Sequence, residues 1–261
     1  MRRVAFPLFL LGAGMAGEAQ RPRVLLAVFA HADDEIFAAG PVLARYAREG
    51  VKVYLAIATK GEKGTHSNTW GPDKLAEVRR AEAKCSCQQL GIEPPIFFEL
   101  SDGELGDITE PLGQNVQAVA DGVKRIILKL NPQVVVTWGP EGGYGHPDHR
   151  LVSDGVTQVI QSSNTGIRLY YAGFTAQQAK MLNSDWPHDI PWHTADPSYL
   201  LVRVSYTEKD KAAYHRALEC HESQFTHEED MTIENDLDVG WGGHVSFREW
   251  NGGQQSQDLF K

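Results

Sequence analysis

Strand-like and helix-like segments alternate along this 261-residue chain and predict an α/β fold, a three-layer sandwich around a mostly parallel sheet. Two further observations support it. The strand-like runs are almost continuously apolar and β-branched, as expected of strands buried on both faces. Glycine or proline stands where each early helix should stop. The elements follow in order. "RVLLAVFA" (23–30) reads as a strand and 33–49 as a helix closed by Gly50. "VKVYLAIAT" (51–59) precedes a helix over 73–90, with Gly91 at its C-cap. "PIFFEL" (95–100) leads to a helix over 112–130, ended by Asn131 and Pro132. "QVVVTW" (133–138), a helix over 148–162, "RLYYAGF" (168–174), "YLLVRVS" (199–205) and a helix over 207–221 complete the series. From about 222 the pattern is lost and the tail is expected to be irregular. The whole reads as one Rossmann-like domain over 20–261, with strand order of the 3-2-1-4-5 type.

The first nineteen residues differ from the rest. "MRR" is basic, "VAFPLFLLGAGMAG" is apolar, and small residues precede Gln20, the layout of a signal peptide. An extracytoplasmic protein, periplasmic or secreted, is therefore expected, with no stable membrane span after cleavage. The net charge of −9 and the lack of a basic stripe argue against nucleic acid as partner. Three cysteines, Cys85, Cys87 and Cys220, show no metal-type spacing; Cys220 could pair with either of the others.

Two motifs gather side chains that are costly to bury. "AHADDE" (30–35) follows the first strand and "GGYGHPDH" (142–149) the fourth. In a 3-2-1-4-5 sheet these strands are neighbours at the switch point where strand order reverses, so the motifs should meet beyond their carboxyl ends. His31 and Asp34 are three residues apart at the start of a helical turn, and His146 and His149 repeat the spacing. Two histidines and a carboxylate give a three-ligand metal site with an open position, suited to catalytic zinc or to Fe(II). No G-x-G-x-x-G follows the first strand, which excludes the usual dinucleotide reading.

"AHADDE" and "GYGHPDH" resemble the paired signatures of the PIG-L/LmbE family of zinc-dependent de-N-acetylases, usually A-H-P-D-D-E and H-P-D-H. The resemblance extends over about 23–224 and includes "TKGEKG" (59–64), "RRAEA" before "LGI" (79–92), "SDGEL" (101–105) and "ALECHESQ" (217–224). Ala32 stands where the family has proline, with no ligand atom lost. The resemblance implies one zinc ion per chain on His31, Asp34 and His149, with Asp33 as general base. His146 would face the oxyanion or protonate the leaving amine, and Asp148 would hold the His146 ring. Arg79 and Asp102 would contact the sugar, and His221 falls near the pocket, though a packed core histidine is the other reading. Tyr144, in a glycine-flanked loop, is a candidate oxyanion donor.

Glu35 could serve the site or its own helix. "HEED" (227–230) could bind a cation or be a solvated loop, and Trp241 and Trp250 could wall a sugar site. The expected activity is hydrolysis of the N-acetyl group of a small amino-sugar conjugate. Alternatives are an amidase for a larger acyl–amine bond, a metal-bearing sugar-binding module without turnover, or an Fe(II) oxygenase.

Overall fold

The first strand, β1 (Val24–Phe29), is buried at all six positions. In the computed structural model, which describes residues 21–64, 67–106, 114–163, 166–185 and 191–261, parallel strands flank it on both sides. These are β2 (Lys52–Thr59) and β4 (Val134–Trp138). β3 (Ile96–Leu100) extends the sheet beyond β2, and β5 (Arg168–Ala172) beyond β4, both parallel. The expected 3-2-1-4-5 order is thus present, within a seven-stranded sheet ordered β3-β2-β1-β4-β5-β7-β6.

Helices cover both faces, which explains the unbroken apolar runs. Leu25, Ala27 and Phe29 point into one core with Ile36, Leu43, Leu90 and Leu218. The alternate Leu26 and Val28 point into the other, with Val123, Ile127, Val152 and Val156. The first face carries α1 (Asp34–Arg48), α3 (Pro72–Leu90) and α7 (Glu208–Leu218). The second carries α4 (Gln114–Leu130) and α5 (Pro147–Gln161). A short α2 (Ser67–Trp70) precedes α3, and α6 (Ala176–Asp185) follows β5. Each fully buried leucine or isoleucine contributes roughly 1.5–3 kcal/mol to holding these layers together.

The region from 222 is not irregular, as the sequence suggested. It forms α8 (His227–Trp241) and β7 (His244–Glu249), and β7 pairs antiparallel with both β5 and β6 (Val202–Ser205). "HEED" is the first turn of α8, not a loop. Thr226 and Glu229 form a reciprocal capping box there, and Glu228, Glu229 and Asp230 complement the helix dipole. Trp241 is buried against Tyr206 and Tyr214, and neither it nor Trp250 lines the pocket described below, so they do not wall a sugar site there. Cys220 pairs with Cys85, linking the end of α7 to α3, and Cys87 is a buried free thiol.

Candidate metal centre

The β1–α1 turn carries His31 and Asp33 and α1 opens with Asp34, while the β4–α5 loop carries Tyr144 and His146 and the first turn of α5 carries Asp148 and His149. Because β1 and β4 are hydrogen-bonded neighbours, the two loops meet at their carboxyl ends, as the motif positions predict. They line a cavity of about 310 Å³. In the second loop Gly142, Gly143 and Gly145 have φ of 68°, 66° and 95°, which a side chain would strain. This lets the chain fold back and aim Tyr144 at the cavity.

Three expected ligand atoms converge. His31 Nδ1 and His149 Nε2 are 3.0 Å apart, and Asp34 Oδ1 is 3.0 Å from His149 Nε2. Each ring is also bonded on its far side. His149 Nδ1 lies 3.1 Å from the carbonyl of Gly142, and His31 Nε2 lies 2.9 Å from Asp102 Oδ1. With those outward bonds made, the inner nitrogens of both rings and Asp34 Oδ1 are aimed at one point. Outward bonds to a carboxylate and a carbonyl are what metal-bound histidines use. Burial opposes a charge on His31, yet hydrogen bonds to Asp102 and Asp148 and the Asp34 charge raise its pKa to about 10. The surroundings favour positive charge at this point, and the donor set fits a metal ion.

His146 also has a ring nitrogen within 4.8 Å of those of His31 and His149. Its Nδ1, however, accepts the backbone N–H of Asp148 at 3.1 Å, which puts the ring proton on Nε2 and makes it a donor. Here the expectation for Asp148 needs correction. Its carboxylate does not hold His146; it accepts the N–H groups of Gly103 and Leu105 and lies 3.4 Å from His31 Nε2. The fully buried carboxylate has turned toward the 103–105 loop, whose two amides supply its hydrogen bonds.

Asp33 stands apart from its neighbour. It is the N-cap of α1 with φ 102°, a left-handed conformation rare for aspartate, and its carboxylate accepts Arg79 Nη2 at 3.0 Å. Burial raises its pKa to about 6 despite the Arg79 charge, with Asp34 adding to the rise. Arg79 also bonds the carbonyl of Ala32. Asp102 backs His31 and accepts the Lys63 N–H while still lining the cavity. Tyr144 meets His149 edge to face with ring centroids 5.2 Å apart; burial and the nearby carboxylates push its hydroxyl pKa up, so it stays a donor.

His221 is corrected outright as a substrate contact. It is completely buried, does not line the cavity, and bonds Glu35 at 3.1 Å. Glu35, in turn, is also completely buried. What the sequence reading missed is the apolar wall of Phe37, Trp138, Leu182, Trp192 and Phe225. Trp138 stacks on His149 at 5.7 Å and 11°. Its position as the last residue of β4, and that of Phe37 one turn beyond Asp34, were the available signals.

Residues 26–160 match the PIG-L family, described as GlcNAc-PI de-N-acetylase. The 1D-myo-inositol 2-acetamido-2-deoxy-alpha-D-glucopyranoside deacetylase 2 of Catenulispora acidiphila is 34% identical over 194 residues, 67% of this chain but only 60% of that protein. The corresponding deacetylase of Actinosynnema mirum is 29% identical, over 78% of this chain and 81% of its own length. Among solved structures, N,N'-diacetylchitobiose deacetylase from Pyrococcus horikoshii superposes with a TM-score of 0.64 at 20% identity, covering 89% of this chain and 85% of that one. At that identity the likeness is one of fold. These relatives also overturn the expected extracytoplasmic location. Neither relative's name points to export, and the leader-like residues 1–19 lie outside the described residues.

Proposed function

Because this chain belongs to the PIG-L family of de-N-acetylases, we propose that it is a zinc-dependent amide hydrolase that removes acetyl from an N-acetylglucosamine-type sugar conjugate. The observation that carries the reading is the convergence of His31 Nδ1, His149 Nε2 and Asp34 Oδ1, with His149 Nε2 3.0 Å from each of the other two. Two imidazoles and one carboxylate are the ligand set of a catalytic zinc with an open position. When bound, zinc supplies Lewis acidity, which makes water acidic enough to lose a proton near neutral pH.

The chain's own groups supply the remaining chemistry. Asp33 lines the cavity but belongs to the other side of the turn from the ligand Asp34, and its carboxylate accepts a proton from the attacking water. Arg79 keeps that carboxylate oriented. As the amide carbon becomes tetrahedral, its oxygen gains charge. His146 Nε2–H and the Tyr144 hydroxyl donate to it, the former fixed as a donor by the Asp148 amide on Nδ1. When the C–N bond breaks, Asp33 returns its proton to the departing nitrogen, leaving acetate and the free amine. The polar wall of Lys63, Arg79, Asp102 and Gln224 suits sugar hydroxyls, and the cavity of about 310 Å³ suits a monosaccharide unit.

The test is acetate release from N-acetylglucosaminyl inositol, N,N'-diacetylchitobiose and N-acetylglucosamine, with chelator and with zinc restored. Chelator-sensitive acetate from at least one supports the reading. Release only of longer acyl groups would make the protein an amidase, and oxygen-dependent turnover on iron would defeat the hydrolase assignment.

A further inference from the structure

Glu35 follows the ligand Asp34 directly, yet it faces away from the cavity and is completely buried. Three donors meet its two oxygens. Oε2 accepts the backbone N–H of Asp33 at 3.0 Å. Oε1 accepts the hydroxyl of Ser86 at 2.6 Å and Nε2 of His221 at 3.1 Å. Burial alone would raise the Glu35 pKa, but the His221 bond and charge, with Ser86, hold it below the usual range. Glu35 thus ties the strained Asp33 backbone to the body of the fold.

The two side chains that hold Glu35 come from distant segments, Ser86 in α3 and His221 just past α7. Each is the immediate neighbour of a half of the disulfide, Cys85 and Cys220, which are 135 residues apart in sequence. His221 has no second anchor through its ring, since Nδ1 makes no hydrogen bond among the described residues. A bridge one residue away from both donors fixes their separation, and hence how both meet the carboxylate between them. Ser223, two residues after His221, adds two bonds of 2.7 Å to Glu82, one helical turn before Ser86, so the same seam is stitched twice.

We infer that the Cys85–Cys220 disulfide is a positioning device for the reaction: it clamps Ser86 and His221 onto Glu35, which holds Asp33 at the angle from which its carboxylate serves the water. Glu35 is then a positioning residue, touching no substrate. The consequence is redox sensitivity of turnover, since Cys85 and Cys220 are both half-buried residues. This rests on the proposed role of Asp33, and the experiment separates the two.

Purified, metal-loaded protein is compared with Cys85→Ser/Cys220→Ser, Glu35→Gln and the triple variant. The Glu35→Gln side chain keeps an acceptor for Ser86 and His221 but turns an amide N–H toward the Asp33 N–H. Four quantities are read: kcat and KM for acetate release, metal content, melting temperature, and hydrogen exchange of the Asp33 amide. The expected result for the double-cysteine variant is full metal content, KM within about twofold, a kcat reduced about tenfold, and faster exchange at Asp33. Glu35→Gln should show the same pattern, and the triple variant should lose no more than Glu35→Gln alone, because one chain of contacts has been cut twice. A bridge that merely stabilises the fold would lower the melting temperature and leave kcat and Asp33 exchange unchanged, which overturns the inference. So would losses that multiply in the triple variant. Should the serine variant fail to fold, native protein is reduced with a water-soluble phosphine, which becomes its oxide with oxygen from water as the S–S bond becomes two thiols. Turnover and Asp33 protection must then fall together and return on reoxidation; if both survive reduction, the inference fails. Protein that is inactive on every N-acetyl sugar while the exchange result holds would refute the proposed function and leave the clamp standing.

Discussion

His31 Nδ1 and His149 Nε2 face each other at 3.0 Å, each ring bonded through its other nitrogen to a partner on its far side. With Asp34 Oδ1 beside them, they form the ligand set proposed for zinc. Prolonged dialysis against a chelator should abolish activity, and zinc should restore it. The metal should also stabilise the fold, by about 4 kcal/mol when free ion stands at 1,000 times its dissociation constant. Differential scanning calorimetry with and without zinc measures this. An identical melting temperature in both would show that the histidines hold no metal.

Asp33 and Asp34 are adjacent but differently employed, one bonded to Arg79 and the other to His149. Asp33→Asn keeps the shape and removes the proton acceptor. It should retain metal and lose about 10²- to 10⁴-fold in kcat. Asp34→Ala should lose most of its metal. Elemental analysis and a turnover rate on each variant decide the matter, and the reversed pattern would refute the assignment.

Asp102 fixes the His31 ring by accepting from Nε2 at 2.9 Å. Asp102→Ala should weaken metal binding by about 10- to 100-fold. The lower end is expected, because Asp148 Oδ2 stands 3.4 Å from the same nitrogen and can take the bond over. Competition with a calibrated chelator reads the change. Unchanged affinity would mean that Asp102 serves substrate alone.

Asp230 lies outside the site. Burial, reinforced by Glu234 and Glu219, raises its pKa to about 6, and its Oδ1 makes no hydrogen bond among the described residues. The native state therefore keeps this proton after the unfolded chain, near its ordinary value of about 4, has released it. Stability associated with this group is full below about pH 4 and is lost as pH rises through 6. Asp230→Asn should match the parent protein at pH 4 and exceed it at pH 8 by on the order of 1 kcal/mol after solvent screening. Thermal melts across that range test it; a variant less stable at pH 8 would contradict the assigned sign.

The parallel half of the fold was legible because a strand covered on both faces must be apolar throughout, as in Val24–Phe29. β7, "HVSFRE", ends in charged residues and sits among antiparallel partners, so its pattern is interrupted and it was missed. The acidic start of α8 reads as a loop until one counts the cap, since Thr226 and Glu229 satisfy each other only in a helix. Within the site, the candidate donors of the two motifs were visible from spacing, and the choice of His149 as ligand came from the family resemblance. The orientation of Asp148 was not, because the amides of Gly103 and Leu105 that capture it belong to a third loop. Nor could the sequence show that His221 lies behind Glu35; that depends on the packing of α7 against α1 and α3.

The placement of β7 between β5 and β6 also sets an order of events during folding. β6 is complete at Ser205, yet its neighbour in the sheet begins at His244. A chain emerging from the ribosome can assemble the five parallel strands while β6 still has no ladder to join. That edge then waits for a non-local pairing, the kind that slows folding and leaves strand surface open to misassembly. In pulse-labelled exchange, the amides of Val202–Ser205 should gain protection together with those of His244–Glu249, after β1, β2 and β4.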